Sequence, residues 1–65
     1  MKRYQKMYDR MRAYWELCAK EVFFVPQSDV KSFVERNTRS SYKYACKYIR
    51  EGRFTEEQVI EYYPL

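Results

Sequence analysis

The chain has 65 residues, enough for one small domain and too few for a core that also encloses an active-site cavity. It contains no histidine, which removes the commonest general base and metal ligand and argues against an enzyme. Thirteen Lys and Arg against nine Asp and Glu give a net charge of +4, which favours an anionic partner.

The charge is uneven along the chain. Residues 1–12 carry +4, 13–35 carry −2, 36–53 carry +5 and 54–65 carry −3. Two basic blocks favour nucleic acid, an anionic membrane surface or an acidic protein as partner, and the membrane is disfavoured because Asp9, Glu16 and Glu21 interrupt the polar face of the first helix. Eight tyrosines accompany only nine Val, Ile and Leu residues, so aromatic rings complete a thin aliphatic core and supply contact surface. One glycine and two prolines are too little turn material for a sandwich or barrel, and the expected class is all-α.

From Tyr4, apolar residues recur at Tyr8, Met11, Trp15, Cys18, Val22 and Val25, with spacings of 4, 3, 4, 3, 4 and 3. This heptad seam predicts one long N-terminal helix ending near Phe24, because Pro26 disfavours helical geometry at Val25. Met7, Tyr14 and Leu17 widen its apolar face. The seam either packs against the rest of the chain or pairs with a second copy in a homodimer through this helix. Tyr4, Tyr8, Met11, Tyr14 and Trp15 are its candidate protein-interface residues, since Tyr and Trp beside Arg resemble a binding hot spot in composition.

Ser28 is read as the N-cap of a short second helix starting at Asp29, anchored by Val30, Phe33 and Val34. The polar run Asn37, Thr38, Arg39 and Ser40 reads as a tight turn, followed by a third helix carrying Tyr42, Ala45, Cys46 and Ile49 and ending at Gly52. Thr55 and Gln58 form a capping box, with Phe54 and Val59 at the positions of a hydrophobic staple, so a further helix begins at Glu56 and stops before Pro64. The expected architecture is one compact bundle of four helices over residues 1–65. The second and third match a helix-turn-helix unit in length, with the third as recognition helix, although the usual turn glycine is absent.

The strongest functional pattern is Arg36, Arg39, Lys43, Lys47 and Arg50, continued by Arg53. With Lys43 at zero and about 100° per residue, Arg39, Lys47 and Arg50 fall within about 40° of it, beside an apolar face near about −110°. Such a stripe suits phosphates, with arginine available for guanine edges. Tyr44 and Tyr48 lie on the other flank and either stack on an unpaired base or cover another helix. The competing reading is a solvated face. Lys2, Arg3, Lys6 and Arg10 either extend the patch or form a separate solvated end.

Other chemistry is not expected. Cys18 and Cys46 lack metal-ligand spacing and are read as reduced buried thiols, with a disulfide between them as the alternative, so neither metal nor cofactor is called for. Ser40 and Ser41 have no activating base, and the single glycine makes no phosphate-cradling loop. No apolar run approaches the roughly 18 residues of a membrane span, and no signal peptide is apparent, so the expected location is cytoplasmic. Two functions follow: a non-enzymatic regulator that binds DNA or RNA through the basic helix, or a protein-binding inhibitor or adaptor. The second would block a macromolecular partner through Tyr, Trp and basic residues, as an anti-defence (anti-CRISPR-like) protein of a phage or mobile element would.

Overall fold

A computed structural model describes residues 3–65, and its described residues form three helices: α1 (Gln5–Glu21), α2 (Gln27–Arg50) and α3 (Glu56–Glu61). The all-α class holds, but the four-helix bundle does not. The second and third expected helices are one uninterrupted 24-residue helix, so the helix-turn-helix unit is also absent.

The expected turn fails because the core-facing period runs straight through it. Val30, Val34, Thr38 and Ala45 are all buried, at intervals of 4, 4 and 7 residues that keep one face toward α1. Thr38 is 1 % exposed, so it stands where an apolar anchor belongs. Asn37 satisfies its amide inside the helix, its Nδ2 donating to the Phe33 carbonyl oxygen at 2.8 Å. With neither Gly nor Pro between Gln27 and Arg50, nothing in the backbone opposes helix continuation. The Thr38 hydroxyl has no hydrogen-bond partner. Replacing it with valine of similar shape removes that desolvated group, so Thr38→Val is expected to gain about 1–3 kcal/mol. The gain reads as a rise in melting temperature of at least about 4 °C, at roughly 4–8 °C per kcal/mol in a domain of this size.

The start of α2 also differs from expectation. Its N-cap position is Pro26, with no side-chain capping bond, and the Asp29 N–H donates to the Pro26 carbonyl at 2.8 Å. Ser28 therefore lies inside the first turn instead of capping it. Proline is suited here because its fixed φ, −54°, leads into the helix and its absent N–H would have been unsatisfied.

Helix α1 stops three residues before the expected Phe24. The Val22 and Phe23 N–H groups both donate to the Cys18 carbonyl, and the Val25 N–H reaches back to Ala19. Phe24 makes this reversal with φ of +51°, a left-handed conformation normally left to glycine, while its side chain is 77 % exposed. Left-handed backbone costs a bulky residue about 1–2 kcal/mol, against about 0.5–1 kcal/mol of extra chain entropy for glycine. Phe24→Gly is thus expected to melt at or above the wild-type temperature, and a clear fall would mean that the ring packs.

The helices α1 and α2 form an antiparallel hairpin with two connected clusters. Ala19, Val30 and Val34 pack near the connection, and Met7, Met11, Ala45 and Val59 pack at the other end with α3. Trp15 touches both clusters, and its Nε1 donates to Ser41 Oγ at 3.0 Å. The predicted end of the third expected helix and start of the next are observed. Gly52 has φ of +76°, the Thr55 side chain accepts from the Gln58 N–H, and the Gln58 side chain accepts from the Thr55 N–H. Six residues cannot hold a helix alone, so α3 depends on Val59 in the shared core and on Arg10, whose Nε donates to the Tyr63 carbonyl at 2.6 Å.

Candidate nucleic-acid interface

Fusion of the two expected helices sharpens the basic stripe. On one continuous helix at about 100° per residue, Arg36 joins Arg39, Lys43, Lys47 and Arg50 within about 40° of Lys43. The buried face, Val30, Val34, Thr38 and Ala45, centres near about 180° on the same wheel. Lys43, Lys47 and Arg50 therefore lie opposite the fully buried residues, while Arg39 borders the half-buried Tyr42 and Cys46 and lines the cleft toward α1. All five are exposed, and among the described residues none has a carboxylate within 4.0 Å. The row spans roughly 21 Å from Arg36 to Arg50 at 1.5 Å per residue. Lys47 and Arg50 occupy the last turn, where the helix dipole favours positive charge.

Arg53 leaves the row. The helix ends at Arg50, the chain turns at Gly52, and the Arg53 guanidinium lies 4.7 Å from the Tyr48 ring centroid and 3.8 Å from Glu51. It belongs to the aromatic flank. There the Tyr44 ring, 56 % exposed, lies at 27° to the Tyr48 ring with centroids 6.5 Å apart, and Tyr48 in turn meets Phe54 edge-on at 6.1 Å. Phe54 meets exposed Tyr62 at 6.0 Å. Arg39, Lys43, Lys47, Arg50 and Tyr44 share one shallow depression along α2 that also touches Tyr42 and Cys46.

The residues proposed as a protein interface on the first helix are committed to the fold. Met11 is fully buried and has no surface to offer. Tyr8 meets Tyr42 edge-on at 5.3 Å, and Tyr14 meets Trp15 and Tyr63 at 5.6 and 5.1 Å. Trp15 bridges the two core clusters, and the Tyr4 N–H donates to the Tyr42 hydroxyl oxygen at 3.3 Å. The seam from Tyr4 to Cys18 thus packs within the chain, its tyrosines and Trp15 half-buried, while Val22 stays exposed. Of the basic N-terminal group, Arg10 is used by Tyr63, Arg3 lies over the Tyr4 ring, Lys6 is exposed, and Lys2 lies outside the described residues.

Two tyrosines titrate above the ordinary range. The Tyr14 hydroxyl is raised chiefly by its hydrogen bond with the Cys18 thiol, and Tyr42 is raised chiefly by burial, partly offset by the Tyr4 N–H. Both effects keep these phenols neutral as packing groups. Both cysteines are free thiols, Cys18 buried and Cys46 half-buried.

Three features were not read from the sequence. Arg12 lines the cleft between α1 and α2 together with Arg39, Tyr8 and Glu35, which places it beside the stripe. Exposed Tyr62 ends the aromatic series, and Phe24 stands out at the tip of the hairpin. Arg12 was hidden because α1 had no fixed register against α2, and the tip because positive φ is not signalled by a phenylalanine. No helix among the described residues is long and apolar enough to cross a membrane. No protein-family model matches the chain, and neither a curated protein nor a solved structure shows significant similarity to it.

Proposed function

We propose that this protein is a non-enzymatic nucleic-acid-binding regulator that holds a phosphate backbone along α2, with Arg36, Arg39, Lys43, Lys47 and Arg50 as the contacting groups. The observation that carries this reading is the row of five exposed cations from Arg36 to Arg50, none with a carboxylate within 4.0 Å among the described residues, with Glu35 as an acidic neighbour beside Arg39 on its edge. The exposed side of α1 mixes charges: Lys20 pairs with Glu16 at 3.8 Å, and Asp9 accepts from Gln5 at 2.8 Å. The α2 stripe has no such compensation. Like charges three and four residues apart oppose each other by a few tenths of a kcal/mol per pair, a penalty that phosphates would relieve. Binding of labelled DNA and RNA oligonucleotides, followed by fluorescence anisotropy, tests the proposal. It expects complexes at 50 mM salt that dissociate as salt is raised, and absence of complexes at that salt would refute it.

A second reading, a protein-binding inhibitor or adaptor, draws on the hairpin tip. Val22, Phe23 and Phe24 are 58 %, 57 % and 77 % exposed, and Phe24 holds strained backbone there. Strain at an exposed apolar tip is the kind of feature that binding sites retain. This reading expects that Phe24→Gly keeps the fold and loses the partner.

A further inference from the structure

Resting on the nucleic-acid reading above, we infer that the ligand is single-stranded, its phosphates on the α2 stripe and its bases turned to one side onto Tyr44. Three observations lead there. First, the stripe is narrow, about 80° wide on the helix wheel, and follows one line. A helix seated in the major groove of a duplex meets phosphates on both flanks and base edges at its centre. Here the order is reversed, with cations along the centre and Tyr44 on one flank, so a single backbone fits and a groove does not.

Second, Tyr44 is shaped as a platform. Its ring is 56 % exposed and backed by the nearly parallel Tyr48 ring, which is itself held by Phe54 and by the Arg53 guanidinium at 4.7 Å. A base laid on Tyr44 extends a stack that is already built, and such stacking requires an unpaired base. Third, Tyr44 shares one depression with Arg39, Lys43, Lys47 and Arg50, so a nucleotide whose phosphate sits on Lys43 or Lys47 has its base within reach of Tyr44. A charged groove with stacking rings is the arrangement by which single strands are held with little sequence preference.

The acidic α3 limits the path. Tyr62 is as exposed as Tyr44, but Glu61 lines the same cleft as Tyr62 and repels phosphate. The strand therefore runs along α2 and does not cross α3, which makes Tyr62 an internal control.

The test compares a 20-nucleotide single-stranded DNA, the same strand as RNA, and a 20-base-pair DNA duplex, at one salt concentration, with wild type, Tyr44→Ala, Tyr44→Trp and Tyr62→Ala. The expected result is tighter binding of a single strand than of duplex by about tenfold. Tyr44→Ala should weaken single-strand binding by roughly 5- to 100-fold and leave duplex binding within about twofold. Tyr44→Trp should retain affinity and show emission quenched on binding, and Tyr62→Ala should be silent. Circular dichroism confirms the fold of each variant. Duplex bound as tightly as single strands, or a silent Tyr44→Ala, would overturn this inference while the stripe stands. Failure of every probe to bind would overturn the stripe as well.

Discussion

Reversing Lys43 and Lys47 to glutamate together is expected to weaken nucleic-acid binding by about 100-fold or more at 0.1 M salt. Each phosphate contact contributes close to one power of salt concentration, hence up to about tenfold at that salt relative to 1 M, and a carboxylate adds repulsion where attraction was lost. The fold should tolerate the change. Both side chains are exposed and lie opposite the face that meets α1, so no core contact is removed. Lys47 sits in the last turn of α2, and reversing it costs about 0.3–1 kcal/mol against the helix dipole. The melting temperature should therefore fall by only a few degrees. Lys20→Glu with Lys31→Glu makes the same change in net charge away from the stripe, and is expected to lower affinity far less. Equal losses in the two double variants would show that only total charge matters.

Proline at Ser40 is expected to unfold the domain. In the middle of α2 it removes the N–H that bonds to the fourth preceding carbonyl and clashes with that turn, a penalty of about 3 kcal/mol or more. It also drives Arg39 away from helical backbone. A 65-residue domain commonly has a total stability of only roughly 3–10 kcal/mol, so this one change removes much of it. Had Ser40 opened a separate helix after a turn, proline there would sit in a first turn, where it is well accommodated. Ser40→Pro thus distinguishes the continuous helix from the helix-turn-helix arrangement more sharply than any packing variant. The expected readout is loss of helical circular dichroism at 25 °C, with Ser40→Ala as stable as wild type. A folded Ser40→Pro protein would contradict the continuous helix.

Local rules were legible where a single chemical feature decides the backbone. Gly52 takes the left-handed turn, and Thr55 with Gln58 closes the capping box at the expected helix start, because glycine and capping side chains act within a few residues. The stripe was legible too, since its members are spaced on one helix. What the sequence hid was decided by packing. Thr38 reads as polar by type, yet its place one turn after Val34 commits it to the core, and this keeps its neighbours Asn37, Arg39 and Ser40, which otherwise resemble a turn, in the helix. The same partner helix decides the fate of the seam: Met11 and Trp15 look equally suited to a second chain until α2 and α3 cover them. Arg53 shows the limit of wheel arithmetic. It follows the stripe in number, but the helix has ended, and the nearby Tyr48 ring and Glu51 draw its guanidinium aside.

The single strand and the stripe meet in one number, the slope of log affinity against log salt for wild-type protein on a single-stranded oligonucleotide. Five phosphate contacts predict a slope of about −3.5 on a single strand, against about −4.5 on duplex, falling in size on the single strand by roughly 0.7 for each cation removed from α2. A slope near zero, or one unchanged by Lys43→Glu and Lys47→Glu, would contradict the basic face of α2 as the binding surface.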